Sequence, residues 1–146
     1  MDGGGHGVTG SAVVDAGICI DLRPMKGIAV DPEARTVRAE GGLTWGELDG
    51  ATQEHGLAVT GARVTDTGIA GLALGSGSGW LERKLGFTCD NLLKAELVTA
   101  DGGLTGAGCT KWPSRLVQRA ISRAPGTLFN ARGSSKSPPT ETMEDQ

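Results

Sequence analysis

Gly3-Gly-Gly-His-Gly-Val-Thr-Gly-Ser11 stands almost at the start of the 146-residue chain, and glycine fills five of its nine positions. Glycine loses more conformational entropy on folding than any other residue, so a folded chain keeps it where φ is positive or where the backbone approaches another group closely. Successive glycines can also form a nest, a concave arrangement of backbone N–H groups that binds anions. The run therefore predicts a loop that closes around an anion such as a pyrophosphate, with His6 inside it.

Residues 5–10 of this run also match, by letter, the G-x-G-x-x-G fingerprint of dinucleotide-binding Rossmann domains. That fingerprint requires a strand directly before it and a helix directly after it. Only four residues precede it here, and Ser11-Ala-Val-Val-Asp-Ala-Gly17 is a poor helix with a glycine stop. Asp31 has about the spacing of the ribose-binding acid, but it falls in a predicted hairpin. The sequence therefore disfavours a nicotinamide-binding domain.

A second glycine cluster occupies residues 65–79, where Gly68, Gly71, Gly75, Gly77 and Gly79 alternate with apolar residues. A flexible linker would not carry Ile69, Leu72 and Leu74, because such linkers lack side chains that need burial. Two interpretations stay open for this cluster. One is a backbone packed against a flat or phosphorylated ligand, and the other is a glycine-rich turn between core segments.

The segments between these clusters predict a mixture of strands and short helices. We expect a strand at residues 18–22, with Cys19 as a small buried hydrophobe, and a hairpin formed by residues 27–31 and 36–40. Thr44 and Glu47 form a capping-box pattern, which predicts a helix that begins at Trp45 and is stopped by Gly56. A shorter helix is expected over residues 80–85. A strand over residues 91–99 is expected to turn back at Asp101-Gly102.

The chain changes character near Thr105. Up to that residue it has 8 basic and 14 acidic residues, a difference of −6, whereas the remainder has 6 basic and 3 acidic, a difference of +3. The remainder is also rich in Ser, Pro and Arg, and only residues 114–122 carry a weak helical pattern. This composition predicts a partial domain over residues 1–105 and a disordered or non-homologous tail over residues 106–146.

Several classes of function are disfavoured by composition. The net charge is −3 with no basic stripe, so we expect no nucleic acid partner. No apolar run reaches 18 residues, so we expect no membrane span. Three cysteines and two histidines, His6 and His55, give no metal-ligand spacing, and we predict no metal site. Neither a signal peptide nor a compartment is indicated by the sequence.

Beyond these local patterns, the order of the motifs resembles the FAD-binding domain of the p-cresol methylhydroxylase type. Within that group it is similar to the berberine-bridge-enzyme-like and hydroxynicotine-oxidase-like FAD-linked oxidases. Besides the first glycine cluster, the resemblance rests on Val37-Arg-Ala-Glu-Gly-Gly-Leu-Thr-Trp-Gly-Glu-Leu48, Thr67-Gly-Ile-Ala-Gly-Leu-Ala-Leu-Gly75 and Glu96-Leu-Val-Thr-Ala-Asp-Gly102. It covers about residues 3–105 and implies an α+β fold of mixed sheets and short helices.

The resemblance also implies a cofactor, FAD, and the residues that bind it. His6 would bond through a ring nitrogen to the 8α-methyl of the isoalloxazine. Bicovalent members carry a Cys in the segment that is Val64-Thr-Asp-Thr-Gly68 here, so a single histidyl link is implied. The implied cofactor-binding residues surround the pyrophosphate, the ring and the adenine: Gly3, Gly4, Gly5, His6, Gly7, Ser11, Thr65, Asp66, Thr67, Gly68, Gly71, Asn91, Glu96 and Val98.

Two departures from the family pattern limit what the resemblance implies. The family begins with a strand–helix–strand unit before the first glycine cluster, and residues 106–146 do not match its continuation into a substrate domain. We therefore expect a truncated member, from a shortened gene or a shifted reading frame. An intact relative would pass hydride from a small-molecule substrate to the flavin and then to O₂. The alternatives are an inactive remnant and a flavin-binding fragment that depends on a partner, and the sequence identifies no catalytic residue.

Overall fold

The computed structural model describes residues 2–10, 12–98, 101–108 and 126–133. Its strands are β1 (Ile28–Asp31), β2 (Thr36–Ala39), β3 (Leu57–Ala58), β4 (Leu92–Val98), β5 (Leu104–Gly108), β6 (Gly126–Asn130) and β7 (Arg132–Gly133). Its helices are α1 (Trp45–Gln53), α2 (Ile69–Leu74) and α3 (Glu82–Leu85), followed by a 3₁₀ turn at Thr88–Asn91. None of the helices in these ranges is long and apolar enough to cross a membrane.

Strands β1 and β2 form the predicted hairpin. They pair antiparallel, with Ile28 opposite Ala39 and Asp31 opposite Thr36. The Asp31 carboxylate accepts the Ala34 N–H at 2.8 Å, a local side-chain contact that is typical of tight turns. The turn holds Arg35 at a φ of 53°. Local turn chemistry thus closes this hairpin, and the prediction is confirmed.

Helix α1 begins and ends where the sequence predicts. The Thr44 N–H donates to Glu47 Oε2 at 2.7 Å, which satisfies a backbone donor at the start of the helix. Lys26 Nζ also lies 2.7 Å from that oxygen, and the resulting hydrogen bond holds the pKa of Glu47 below its usual range. At the other end, Gly56 has a φ of 64°, the left-handed conformation of a helix stop. The helix buries Trp45 and Leu48 against the sheet core.

The main sheet has five antiparallel strands in the order β1-β2-β6-β4-β5, and β3 pairs with β7 in a separate two-stranded sheet. Strand β6 therefore lies between β2 and β4, and Phe129 on it is fully buried. The Phe129 ring meets the Trp45 ring edge-on, with centroids 6.2 Å apart. This contact joins the central strand to helix α1.

The sequence predicts no element at residues 126–133, and the structure places β6 and β7 there. A strand between two others is stabilised by pairing and burial rather than by its own composition, which is why the local pattern did not reveal it. Strand β5 also crosses the predicted boundary at residue 105. The division into residues 1–105 and 106–146 stays a prediction, and residues 114–122, where a weak helical pattern occurs, lie outside the described ranges.

The predicted strand at residues 18–22 is wrong. Apart from one parallel bridge between Asp2 and Asp21, this segment pairs with no strand in the described ranges. Without a sheet face to cover them, residues 18–21 are exposed, and Ile18 is 92% exposed. The expectation that Cys19 is buried is wrong for the same reason: its thiol is exposed and lies 3.4 Å from the Ala12 carbonyl. The helix predicted over residues 80–85 is confirmed as α3, which starts two residues after the expected position. The turn predicted at Asp101-Gly102 is also confirmed, because β4 and β5 pair antiparallel on either side of it.

Candidate functional site

The first glycine cluster folds into a loop, residues 2–7, that we call the His6 loop. Asp2 organises it, because Asp2 Oδ1 accepts the N–H of Gly5 at 2.8 Å and that of Gly4 at 3.2 Å. Gly5 has a φ of 69°, which favours glycine. The Asp2 backbone is fixed in turn by its two hydrogen bonds to Ile20 and Leu22, at 3.0 and 2.8 Å.

A second loop, residues 65–68 or the Asp66 loop, is anchored to the start of helix α1. The Trp45 N–H donates to the Thr67 carbonyl at 2.8 Å, and the Gly46 N–H donates to the Thr65 carbonyl at 2.7 Å. The first N–H groups of a helix have no partner within the helix, so these carbonyls satisfy two of them. Asp66 is thus held on both sides by the rigid first turn of α1.

The two loops touch backbone to backbone. A Cβ on Gly4 would lie 2.4 Å from the Gly68 nitrogen, and a Cβ on Gly68 would lie 2.8 Å from the Gly3 carbonyl. Neither position can therefore carry a side chain without moving a backbone. This contact explains why both clusters need glycine at these residues.

Where the loops meet, they open a cleft of about 640 Å³ that also extends along α2. Its volume lies within the range of small-molecule and cofactor sites. The N–H groups of His6 and Gly7 donate to no acceptor within the described residues, so they are free to bind a ligand. Eight of its fifteen lining residues are glycine, and the lining is Asp2, Gly3, Gly4, Gly5, His6, Gly7, Val8, Ala12, Thr67, Gly68, Gly71, Leu72, Gly75, Gly77 and Ser78.

His6 is the one lining residue with an imidazole, and it is paired with an acid from the other loop. His6 Nε2 lies 2.8 Å from Asp66 Oδ1, although the two residues are 60 positions apart in the sequence. Their side chains are 41% and 73% exposed, and of the two only His6 lines the cleft. Arg23 and Asp21 form a neighbouring ion pair at the base of the His6 loop. The hydrogen bonds from Arg23 lower the pKa of Asp21 to about 2.

Most of the cofactor-binding residues that the sequence predicts lie at the cleft or next to it. Eight line the cleft: Gly3, Gly4, Gly5, His6, Gly7, Thr67, Gly68 and Gly71. Thr65 and Asp66 support them from the Asp66 loop, and Ser11 lies outside the described residues.

The remaining three predicted residues, Asn91, Glu96 and Val98, do not line the cleft. The buried Asn91 amide donates to the Leu85 and Phe87 carbonyls at 2.9 and 3.0 Å. Glu96 pairs with Arg38 at 2.8 Å, and that hydrogen bond lowers the pKa of Glu96. The structure thus gives Asn91 and Glu96 partners within the protein.

Sequence reasoning missed part of the cleft. Asp2, Gly75, Gly77 and Ser78 line it but were not among the predicted residues. Asp2 had a detectable signal, because an aspartate directly before glycines often accepts backbone N–H groups two or three residues later. Gly77 needs to be glycine because its φ is 72° and a Cβ there would lie 2.2 Å from Thr88 Oγ1. No signal in the sequence indicated this residue except its place in the second glycine cluster.

Comparison with known proteins relates this chain to FAD-binding proteins. The family model described as FAD binding domain matches residues 1–108. The chain is similar to (R)-6-hydroxynicotine oxidase of Paenarthrobacter nicotinovorans, with 41% identity over 99 residues, which is 68% of this chain and 22% of that protein. An FAD-linked oxidoreductase of Dictyostelium discoideum shows the same identity over the same shares of the two chains. The chain therefore spans about a fifth of the length of these relatives.

Solved structures show the same likeness in three dimensions. The crystal structure of 6-hydroxy-D-nicotine oxidase from Arthrobacter nicotinovorans superposes with a TM-score of 0.82 and 31% identity, over 90% of this chain and 30% of that one. The BBE-like 1 protein of Physcomitrella patens superposes with a TM-score of 0.69 and 27% identity, over 79% of this chain and 26% of that one.

Proposed function

The chain belongs to the FAD binding domain family of FAD-linked oxidoreductases, and from that premise we propose that its cleft is where FAD binds. The family resemblance and the α+β fold predicted from the sequence are both confirmed. The position of the cofactor within the fold is the proposal. It is supported by residues of this chain rather than by the family alone.

One observation carries the proposal: two glycine loops meet so closely that no Cβ fits at the contact, and they leave a cleft walled largely by backbone. A wall without side chains lets a flat ring or a pyrophosphate approach the main chain. The N–H groups of His6 and Gly7, which have no acceptor within the described residues, suit an acceptor-rich ligand, because successive backbone N–H groups can bind anions. The residues present therefore suit FAD.

We further propose that the FAD is attached covalently through His6. The imidazole lines the cleft and is 41% exposed, so it can reach a ligand there. Residues 64–68 contain no Cys, which supports a single link. In a complete oxidoreductase, the bound flavin would accept hydride from a small-molecule substrate and be reoxidised by O₂. Residues of this chain would bind and orient it.

Acid precipitation tests the attachment. The full chain is purified, incubated with FAD in air, precipitated with acid and washed, and its flavin absorbance is measured. We expect the wild type and His55→Ala to retain flavin and His6→Ala to lose it, because His55 lies outside the cleft lining. Flavin retained equally by His6→Ala would contradict the attachment. A melting temperature that FAD does not raise in any of the three proteins would contradict binding itself.

A second proposal, a flavin-binding fragment that depends on a partner, is favoured by exposed apolar side chains in residues 8–18, of which Val8 lines the cleft. Val8, Val13 and Ile18 are 102%, 72% and 92% exposed, and exposed apolar side chains that are concentrated in one region mark an interaction site. A cooperative thermal melt of the monomer, raised by FAD, would contradict partner dependence. Aggregation or a non-cooperative melt that FAD does not correct would support it.

A further inference from the structure

We propose that Asp66 is a positioning residue that fixes His6 in one tautomer and orientation, so that Nδ1 is the nitrogen that bonds the flavin. The inference rests on the proposed attachment through His6. It starts from the contact between His6 Nε2 and Asp66 Oδ1, which are 2.8 Å apart. That distance is typical of a hydrogen bond to a charged oxygen.

The chemistry of the pair determines which nitrogen carries the proton. A carboxylate has only acceptor oxygens, so His6 Nε2 must be the donor in this hydrogen bond. A neutral imidazole carries one proton, and with that proton on Nε2 the lone pair is on Nδ1. The nitrogen that is free to attack is therefore Nδ1. Carboxylates fix the tautomer of metal-binding histidines in the same way.

Asp66 is the fixed member of the pair. The carbonyls before and after it, those of Thr65 and Thr67, accept N–H groups from the first turn of α1 at 2.7 and 2.8 Å. Its own carbonyl is close to Gly4, where a Cβ would lie 3.0 Å away. His6, by contrast, lies on a loop of consecutive glycines. The rigid helix therefore sets the position of the acid, and the acid sets the orientation of the imidazole.

Asp66 also suits the charge that the reaction creates. His6 Nδ1 forms a bond to the 8α carbon in place of one hydrogen, which leaves as a proton together with two electrons. O₂ takes up the two electrons with two protons, one of them from solvent, and becomes H₂O₂. The alkylated imidazole is left cationic with its proton still on Nε2, and the Asp66 carboxylate stabilises that charge through the existing hydrogen bond.

The test has one arm that does not depend on attachment. In full-length protein labelled with ¹⁵N-histidine and free of flavin, long-range ¹H–¹⁵N correlation spectra identify the tautomer of each imidazole. We expect the Nε2–H tautomer at His6 in the wild type and a loss of that preference in Asp66→Ala. Asp66→Asn keeps an acceptor oxygen and is expected to restore the preference. An Nδ1–H tautomer at His6 in the wild type would overturn the proposal.

The second arm measures the rate of covalent incorporation of added FAD in air. We expect Asp66→Ala to slow it at least tenfold, Asp66→Asn to be intermediate, and Glu33→Ala, which removes the same charge from an exposed turn, to match the wild type. Reversible FAD affinity before attachment should change less than threefold. Incorporation by Asp66→Ala at the wild-type rate, or a link found on Nε2, would overturn the proposal.

The two arms separate this inference from the proposed function. A wild type that never retains acid-stable flavin contradicts the attachment through His6, and the tautomer spectra then decide the role of Asp66 alone. A wild type that attaches flavin as fast as Asp66→Ala contradicts the role of Asp66 and leaves the attachment standing. Thermal melts of every variant show whether a loss reflects unfolding rather than positioning.

Discussion

Gly61 lies so close to Trp45 that a Cβ on Gly61 would be 1.5 Å from the Cε2 atom of the indole. Trp45 is 2% exposed and is the first residue of α1. Its ring packs against Gly61 on one side and meets Phe129 on another. Its backbone N–H donates to the Thr67 carbonyl and so holds the Asp66 loop. The contact between Gly61 and Trp45 therefore connects the hydrophobic core to the wall of the cleft.

Gly61→Ala is expected to lower the free energy of unfolding. The added methyl group cannot fit without moving a fully buried ring, and overpacking of this kind costs about 1–3 kcal/mol or more. Urea denaturation followed by tryptophan fluorescence measures the change. The matched control is Gly50→Ala in α1, where a Cβ meets nothing within 4 Å; it should be neutral or stabilising by up to about 1 kcal/mol. Equal stability of the two variants would contradict the prediction.

Phe129→Ala tests whether β6 completes the core. Removing a fully buried phenylalanine costs about 3–5 kcal/mol, and here it also removes the edge-on contact with Trp45. Phe87→Ala is the control, because Phe87 is 47% exposed and its loss should cost much less. Thermal unfolding of both variants measures the difference. If Phe129→Ala melted like Phe87→Ala, β6 would not be part of the stable fold in solution.

Local signals predicted the elements that are made by local contacts. The β1–β2 hairpin closes on the Asp31–Ala34 turn, and α1 begins with the Thr44–Glu47 capping box, so residues three apart decided both. Strand β6 differs because its partners, β2 and β4, are far away in sequence. The segment around Cys19 was wrongly predicted as a strand. Its apolar, β-branched residues favour a strand, but in the described part of the chain no neighbouring strand exists to pair with it.

The candidate site was predictable in the same uneven way. The two glycine clusters were identifiable from the sequence because clustered glycines indicate places where a side chain would not fit. The close approach of Gly4 to Gly68 is such a place. The contact between His6 and Asp66 was not predictable from spacing, since the fold alone brings them together. The family resemblance implied that Asn91 and Glu96 bind the cofactor. In the structure, the Asn91 amide donates to the Leu85 carbonyl and the Glu96 carboxylate accepts from Arg38.

Gly71→Ala should separate FAD binding from stability. Gly71 lies in α2 and lines the cleft, and a Cβ there meets no protein atom within 4 Å. The methyl group would enter the cleft and weaken FAD binding, while the helix gains up to about 1 kcal/mol from the loss of glycine. Gly50→Ala brings the same helix gain outside the cleft and should leave FAD affinity unchanged. Fluorescence titration with FAD, with a urea melt of each variant, measures both quantities.

Tight FAD binding by Gly71→Ala, equal to that of Gly50→Ala, would place the ligand elsewhere. A loss of affinity accompanied by a lower free energy of unfolding would instead indicate that Gly71 is needed for folding. Only weaker binding at undiminished stability agrees with a cofactor in the cleft.

Asp49 should make the protein less stable as the pH rises from about 4 to about 6. Burial of this half-buried carboxyl raises its pKa from 3.8 to about 6, because the charged form loses solvation and gains no partner among the residues that the structure describes. The folded state therefore binds the Asp49 proton more tightly than the unfolded state does. The stabilisation from that proton is complete below pH 3.8 and is lost as the pH passes 6.

Asp49→Asn removes this titration, so its advantage over the wild type should grow between pH 4 and pH 7. A rise in the pKa from 3.8 to about 6 corresponds to about 3 kcal/mol, but solvent screens a half-exposed carboxyl, and we expect about 1 kcal/mol at pH 7. Urea melts of both proteins at pH 4, 5, 6 and 7 measure the difference. Asp31→Asn is the contrasting variant, because the Asp31 carboxylate accepts the Ala34 N–H in the exposed β1–β2 turn and its replacement should not stabilise the protein at pH 7. An advantage of Asp49→Asn that is constant with pH would show that the carboxyl at position 49 is solvated in the folded protein.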